Sequence, residues 1–510
     1  MTWLPEVLSG APSAGGGWLV AIIAWPVIAL LLVVAGGERF AARVGVVALP
    51  IGLALAAAVT LCVARTGQLA YYVGGWAPPI GIELRADGLS AAMLLVTAIV
   101  ASGAGIYGLA DFGPPRAGQP GRRTLAFWVS LLGAWAALNL AFLGNDLFNL
   151  YVALELLTFA AVPLVCLDGT AGTLRAALRY LLYALAGSVL YLLGAVLLYG
   201  AYGTLDMGLL AQAVRPEPAA WTAAGLMTAG LLAKTALFPL HLWLPPAHAG
   251  APPAASAVLS ALVVKGSFFI VLRLWFEALP GIANAAAMQL IGLLGAGAIL
   301  YGSALALRQS RLKLLVAYST VAQIGYLFLV FPLAFDASAA HLVAGAALAG
   351  GLLQAVSHAL AKAAMFMSAG LIAVTLGHDR IAGLGGLARA RPASLLAFAL
   401  AGVSLVGLPP SGGFAAKWLL LSAAVATGQW WWAVVIVLGG LLTGAYLVLV
   451  LMHALAEPDA SAAMPRPVAA WRESVPVLLA LLAVLLGLAG LVPFESGRDA
   501  VAELAYGASP

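Results

Sequence analysis

Apolar residues run along this chain in blocks of roughly 20, the length a helix needs to cross the hydrocarbon core of a bilayer. Short clusters of Gly, Pro and charged residues separate the blocks. They fall at 18–36, 44–64, 88–110, 125–143, 147–167 and 176–202, and then at 221–243, 252–278, 285–307, 312–334, 339–376, 393–425, 430–456 and 474–493. The pattern predicts an all-α membrane protein with about 14 transmembrane helices. Three of the later blocks exceed one bilayer thickness. A run of that length that contains Pro, Gly or a polar break reads as an interrupted or re-entrant helix rather than a straight span.

Two breaks lie deep in apolar sequence: FPLHLWLPP at 238–246 and GLPPSGGF at 407–414. Unwound backbone at membrane depth is tolerated only against protein or a water-filled cavity, and paired breaks are a mark of inverted repeats. The expected organisation is helices 1–3 in residues 1–124, a first five-helix repeat (helices 4–8) in 125–278, a second (helices 9–13) in 279–456, and a last helix with a short tail in 457–510.

Composition removes the other classes. Apolar residues make up 64% of the chain and charged residues 8%, where a soluble domain has about 25% charged, so no soluble catalytic domain fits. Cys62 and Cys166 stand alone in apolar stretches, too few and too far apart for an iron–sulfur cluster, a zinc site or a disulfide framework. No metal and no cofactor are expected. The start MTWLPEVLSG carries Glu6 and no basic n-region, so the first block reads as a retained helix and not a signal peptide.

Basic residues collect in alternate loops. Of 24 Lys and Arg, fifteen fall after odd-numbered blocks, including Arg116, Arg311, Lys313, Arg466 and Arg472, and four after even-numbered ones, Arg65, Arg85, Arg215 and Arg273. By the positive-inside rule this places both termini on the non-cytoplasmic side of a cell inner (plasma) membrane. These loops account for the net charge of +5. No aromatic-interleaved basic patch suggests nucleic acid.

Apart from Arg498 in the tail, the remaining basic residues are Lys234, Lys265, Lys362 and Lys417, all inside apolar blocks. Inserting a lysine there costs roughly 2.5 kcal/mol or more. Arginine is nearly absent from the blocks, and a buried lysine can release its proton near neutral pH whereas arginine cannot. Snorkelling to the interface is the structural alternative, most applicable to Lys417, which follows a break. Glu155 is the one acid well inside a block, with Asp146 at that block's edge. An isolated carboxylate there would take up a proton, so a counter-charge is expected, and Lys234 is the candidate. Opposite charges 4 Å apart at an effective dielectric of about 20 attract by roughly 4 kcal/mol, enough to switch a lysine between holding and releasing its proton. A static pair that fixes helix packing is the alternative. Histidine suits a relay near neutral pH: His241 and His248 follow Lys234 at seven-residue steps through a Pro-broken segment, and His358 and Lys362 are i, i+4 neighbours on one helix face. His341 and His453 stand alone and read as packing residues as readily as relay groups.

These segments resemble a known family, the antiporter-like membrane subunits shared by complex I, membrane-bound hydrogenases and Mrp-type cation/proton antiporters. The resemblance covers nearly the whole chain and rests on NDLFNLYVALELL, AKTALFPLHLWLPPAHAGAP, LVVKG, LVAYSTVAQIGY, SHALAKAAMFMSAG and GLPPSGGFAAKW, in that order. It implies fourteen helices with both termini outside. It also implies an ion pair between Glu155 of the fifth span and Lys234 of the seventh, a central Lys265 in the eighth and an exit lysine, Lys417, in the twelfth. ADGLSAAMLLVTAIV at 86–100 and GTLDMGLLA at 203–211 look most like the D-type component of Mrp antiporters. The His358–Lys362 pair looks more like the largest antiporter-like subunit of complex I, whose long lateral helix has no counterpart after the last block. The implied partners are other membrane subunits of a complex I-like or Mrp-type assembly, with protons and, as candidate exchanged ion, Na⁺.

The function expected is that of a proton-translocating subunit moving protons through a buried Glu/Lys/His relay, with no redox or hydrolytic site of its own, though it could serve an NADH:quinone oxidoreductase-type translocase. A stand-alone secondary transporter would need a midplane substrate site in place of a titratable chain. A purely structural membrane subunit predicts that neutralising Glu155 or Lys234 leaves transport intact.

Overall fold

A computed structural model describes residues 13, 15–114, 121–336, 341–343, 345–458 and 468–489. Arg116, Arg466, Arg498, Glu6 and both chain ends lie outside the described residues, so the expectation for the termini is not addressed by them. Nearly everything described is helical, as a bilayer requires, because every backbone N–H and C=O must be satisfied within the chain.

In chain order the helices are α1 (Gly17–Thr66), α2 (Gly88–Phe112), α3 (Arg122–Leu143), α4 (Leu147–Val165), α5 (Ala171–Tyr202), the short α6 (Met207–Ala213), α7 (Pro218–Thr235), α8 (Leu244–Gly250), α9 (Pro253–Ala278), α10 (Ala285–Leu307), α11 (Leu312–Ala334), α12 (Ala346–Leu376), α13 (Pro392–Val406), α14 (Gly412–Ala426), α15 (Trp430–Leu455) and α16 (Trp471–Ala489). Between α1 and α2 sits an antiparallel hairpin, β1 (Leu69–Tyr72) and β2 (Glu83–Ala86), with Leu69 opposite Ala86. Eleven of the helices are long and apolar enough to span a membrane. The first, α1, is 50 residues long and is kinked at Gly37, whose φ of 66° a side chain would disfavour; it therefore holds the two blocks expected at 18–36 and 44–64. Counting it twice, and adding the interrupted pairs α7/α8 and α13/α14, brings the passes to fourteen.

The two interrupted passes hold equivalent places. In the first five-pass set α3 packs on α4, and α5 on α7; in the second α10 packs on α11, and α12 on α13 and α14. Five is an odd number, so the second set enters the bilayer from the opposite side and the repeats are inverted. Helix starts in both sets are capped by side chains: Asp146 accepts from the Asn149 N–H at 2.8 Å, Thr170 from Thr173 at 3.2 Å and Ser411 from Phe414 at 3.2 Å. The edge position of Asp146 is thus a cap.

The apolar core of α9 is buried throughout, and α11 and α12 are nearly so, whereas α1, α5 and α15 expose rows of Leu, Val and Trp. The centre of the protein is therefore α9, α11 and α12, the region farthest from lipid. Many of the residues assigned to loops on sequence alone lie in helices: Arg39, Arg43 and Arg65 in α1, Arg122 and Arg123 in α3, Arg175 and Arg179 in α5, and also Arg273 in α9, Lys313 in the first turn of α11 and Arg472 in α16. Arg273 and Arg472 are buried, each with carboxylate partners at a helix end, Asp87 and Glu277 for the first and Asp111 for the second. A count of loop charges cannot separate such residues from solvated ones.

Candidate proton path

The candidate path starts where α5 and α7 touch backbone to backbone. A Cβ on Gly187 would lie 2.6 Å from the carbonyl oxygen of Gly230, and one on Gly230 would lie 2.2 Å from that of Gly187, so both positions require glycine. The close approach brings Ser188 of α5 and Lys234, near the end of α7, onto Glu155 of α4. Lys234 Nζ lies 3.3 Å from Glu155 Oε1 and donates to Thr158 Oγ1 at 3.0 Å; Ser188 Oγ donates to the same Glu155 oxygen. Both charged side chains are shielded, 5% and 15% exposed. The pair anticipated from sequence is present.

After Lys234 the helix stops. Ala236 adopts the left-handed conformation, φ 58°, and Trp243 Nε1 donates to the carbonyl of Ala233 at 2.9 Å, which also accepts from the Ala236 N–H at 3.3 Å. His248 of α8 is fully buried, its Nδ1 2.9 Å from the carbonyl of Leu244 and its Nε2 without a protein partner. It lies between Trp243 and Phe366. His241 lies in the break itself, stacked on Phe238 and edge-on to Tyr301, its Nδ1 without a hydrogen-bond partner among the described residues.

Next come two lysines with no carboxylate in reach among the described residues. Lys265 sits where α9 widens into a π-turn at Leu259–Val263, and its Nζ donates to the Ser260 carbonyl at 3.0 Å. Lys362 of α12 donates to the Val316 carbonyl at 3.0 Å and to Ser319 Oγ. A thread of hydroxyls joins the two: Ser260 Oγ meets Thr320 Oγ1 at 2.9 Å, and Thr320 in turn donates to the Val316 carbonyl at 3.0 Å. His358, one turn before Lys362, is buried with neither ring nitrogen bonded to protein, a state that buried water ordinarily satisfies.

Beyond His358, Ser357 Oγ meets Ser404 Oγ at 2.8 Å, and Gln354 donates to Gln323, which donates to Thr443 at 3.2 Å. These groups lead to the second break. There Gly407 is left-handed, φ 88°. Lys417 of α14 reaches back across the gap and donates to the carbonyls of Leu405 at 2.6 Å and Val406 at 3.1 Å, the last two of α13. Its ammonium also lies 4.3 Å from the centre of the Tyr326 ring. The neutral members of the thread, Ser188, Ser260, Ser319, Thr320, Gln323 and Gln354, are not among the residues singled out from sequence. Their signal is the i, i+4 spacing of Ser319 and Gln323 within an otherwise apolar run.

At one end of the bundle the loops tie the two strands to α4 and α6. Asn145 Nδ2 donates both to Glu83 Oε2 at 2.8 Å and to Asp206 Oδ2 at 3.1 Å. Burial, and the charge of Asp206 in the case of Glu83, pushes both carboxyls above their ordinary values. A carboxyl raised in the folded state binds its proton more tightly there than when unfolded, so this cluster favours the fold at low pH and loses that contribution as pH rises through the raised range. Thermal melting of the purified protein is accordingly expected to drop less steeply with rising pH in a Glu83→Gln, Asp206→Asn double variant than in the parent. Equal slopes would rule the cluster out as a source. Among the described residues no three His, Cys, Asp or Glu side chains converge as a metal site would require.

A buried acid–lysine pair and a row of lysines through two inverted sets of helices, each with one broken helix, define an antiporter-like membrane subunit. The chain belongs to the family described as NADH:quinone oxidoreductase/Mrp antiporter, TM, which it matches over residues 144–443. It is 35% identical over 434 residues to NADH-quinone oxidoreductase subunit N of Desulforudis audaxviator (strain MP104C), covering 83% of each chain. It is 29% identical over 412 residues to the D-type component of the Na(+)/H(+) antiporter of Bacillus subtilis (strain 168), covering 79% of each. Its fold is similar to a chain in the structure of the Mrp complex from Dietzia sp. DQ12-45-1b, with a TM-score of 0.86 and 25% identity over 96% of this chain and 97% of that one.

Proposed function

We propose that this chain moves protons across the membrane as one subunit of a larger assembly, passing them along Glu155–Lys234, His248, Lys265, the His358–Lys362 pair and Lys417. The observation that carries the reading is that, among the described residues, Lys265, Lys362 and Lys417 are buried without carboxylate partners, bonded instead to carbonyls and hydroxyls. Three permanently charged ammonium groups in such positions would carry a large desolvation cost, which a lysine that can give up its proton avoids. Glu155 sets the state of Lys234 by approaching or leaving it. The side bearing most of the arginine-rich loops faces the cytoplasm, as the positive-inside rule requires. Relatives named as components of NADH-quinone oxidoreductase and of a Na(+)/H(+) antiporter suggest two drivers, redox chemistry in partner subunits or a cation gradient. Moving one charge against 100 mV takes about 2.3 kcal/mol, within reach of either.

The test is acidification of inverted vesicles that contain the assembled complex, driven by NADH or by Na⁺, in the parent and in Lys234→Ala and Glu155→Ala. Transport is expected to disappear in both variants with the complex still assembled, and the driver that works in the parent identifies the class. Unchanged transport would leave the ion pair a packing device.

A further inference from the structure

We infer that the cleft between the two inverted sets, on the side of the arginine-rich loops, is the water-filled mouth through which protons reach Lys362, and that Lys313 is the first titratable group they meet; this rests on the relay proposed above. The cleft has a volume of about 580 Å³ and adjoins a second space of about 360 Å³. Thr173 and Gly250 line it from the first set, and Ala373, His378 and Asp379 from the second, with Lys313 on the wall shared by both spaces. It therefore opens where the two repeats meet, beside α9, α11 and α12, and not in the lipid-facing surface.

The bonding of Lys313 sets it apart from a lysine that snorkels into a salt bridge. Its Nζ donates to the Ala251 carbonyl at 2.6 Å, in the turn between α8 and α9. The carboxylates nearby are otherwise engaged: Asp379 accepts from Arg311 Nε at 3.0 and 3.2 Å, and Asp168, which lines the smaller space, pairs with Arg123. Among the described residues Lys313 thus stands at the cleft without an ion-pair partner, the charges of Asp379 and Asp168 reaching it only from a distance, and Lys362 is likewise unpaired deeper in. The two share a helix. One turn above Lys313 on α11 is Val316, whose carbonyl accepts from Lys362, and one turn further is Ser319, which Lys362 also contacts. Each spacing of three makes neighbours on the helix surface, and over two such steps the line of groups winds part of the way round α11 as it rises from the cleft to the centre of the path. In each step a proton leaves a hydronium ion or an ammonium as its O–H or N–H bond breaks, and forms an N–H bond on the next amine. Nothing else is consumed.

The assembled complex, in a Cys62→Ser, Cys166→Ser background, tests this when Ala373→Cys is exposed to a membrane-impermeant cationic methanethiosulfonate. Labelling is expected only from the side of the arginine-rich loops and should slow transport roughly tenfold, with recovery on reduction, because a fixed cation then stands in the mouth. Lys313→Met should slow transport on the order of a hundredfold, at unchanged assembly. Thr173→Cys, on the facing wall, serves if Ala373→Cys does not assemble. No labelling from that side, or labelling that leaves transport at its starting rate, overturns the assignment. Lys362→Met run alongside separates the two ideas: if it too transports normally the relay itself is wrong, whereas if it is inactive while the labelled cleft is harmless only the mouth is misplaced.

Discussion

Replacing Lys362 by Met is expected to lower proton transport on the order of a hundredfold, the scale of what a positioned proton-transfer group contributes, while the complex remains assembled. Met nearly matches the shape of the lysine stem, and the surroundings tolerate the loss of the ammonium. The Val316 carbonyl keeps Ser319 and Thr320 as donors, at 2.9 and 3.0 Å, so no buried acceptor is stranded. The companion variant Lys362→Arg separates charge from proton exchange. Arginine holds a positive charge at the same place but does not release it. Both variants should be inactive in the vesicle assay; an active arginine variant would mean that the position needs only a fixed charge.

Arg273→Ala should instead fail at the level of the folded protein, by about 3–5 kcal/mol, the usual result of stripping one member from a buried ion pair. Arg273 grips Asp87 with both arms of its guanidinium, at 2.6 and 2.7 Å, donates to Ser90 Oγ at 2.9 Å and also engages Glu277. Asp87 is 1% exposed and caps α2 through the Ser90 N–H. The guanidinium beside it holds its carboxyl well below the usual carboxylate range, so without Arg273 a charged group stays buried with only Arg85, 3.8 Å away, as counter-charge. Thermal unfolding in detergent would show the loss. In a double-variant cycle, adding Asp87→Asn to Arg273→Ala should recover part of it, since the stranded charge is gone. If the second change makes matters additively worse, the pair is not the source of the stability.

These two residues also mark what is legible without coordinates. Lys362 stands out because a lysine in the middle of an apolar run has no ordinary explanation, and the same logic finds Lys234, Lys265, Lys417 and the Glu155 partner. Fourteen passes and two breaks follow from run lengths and from proline and glycine, because the bilayer sets a fixed ruler. Arg273 and Lys313 read as loop charges, since each lies within a few residues of a block's edge, where burial depends on what packs against it from elsewhere in the chain. The π-turn at Leu259–Val263 has no periodic signature, as it alters the register of one turn only. The seven-residue spacing from Lys234 to His241 crosses a Pro break, so the side-chain direction of His241, stacked on Phe238 and edge-on to Tyr301, is not legible from helix register.

The way Lys417 spans the second break has a mechanical side. Its side chain belongs to one half of the pass and holds the carbonyl end of the other half, so it acts as a clasp between two rods at the break. A charged clasp is drawn to that end by the helix dipole as well as by hydrogen bonds, and a neutral one by hydrogen bonds alone. Stiffness at the hinge and occupancy of the side chain by a proton are then one and the same variable. In the relay proposed above, a proton arriving at or leaving Lys417 is therefore also a change in the tension with which α13 and α14 are held end to end.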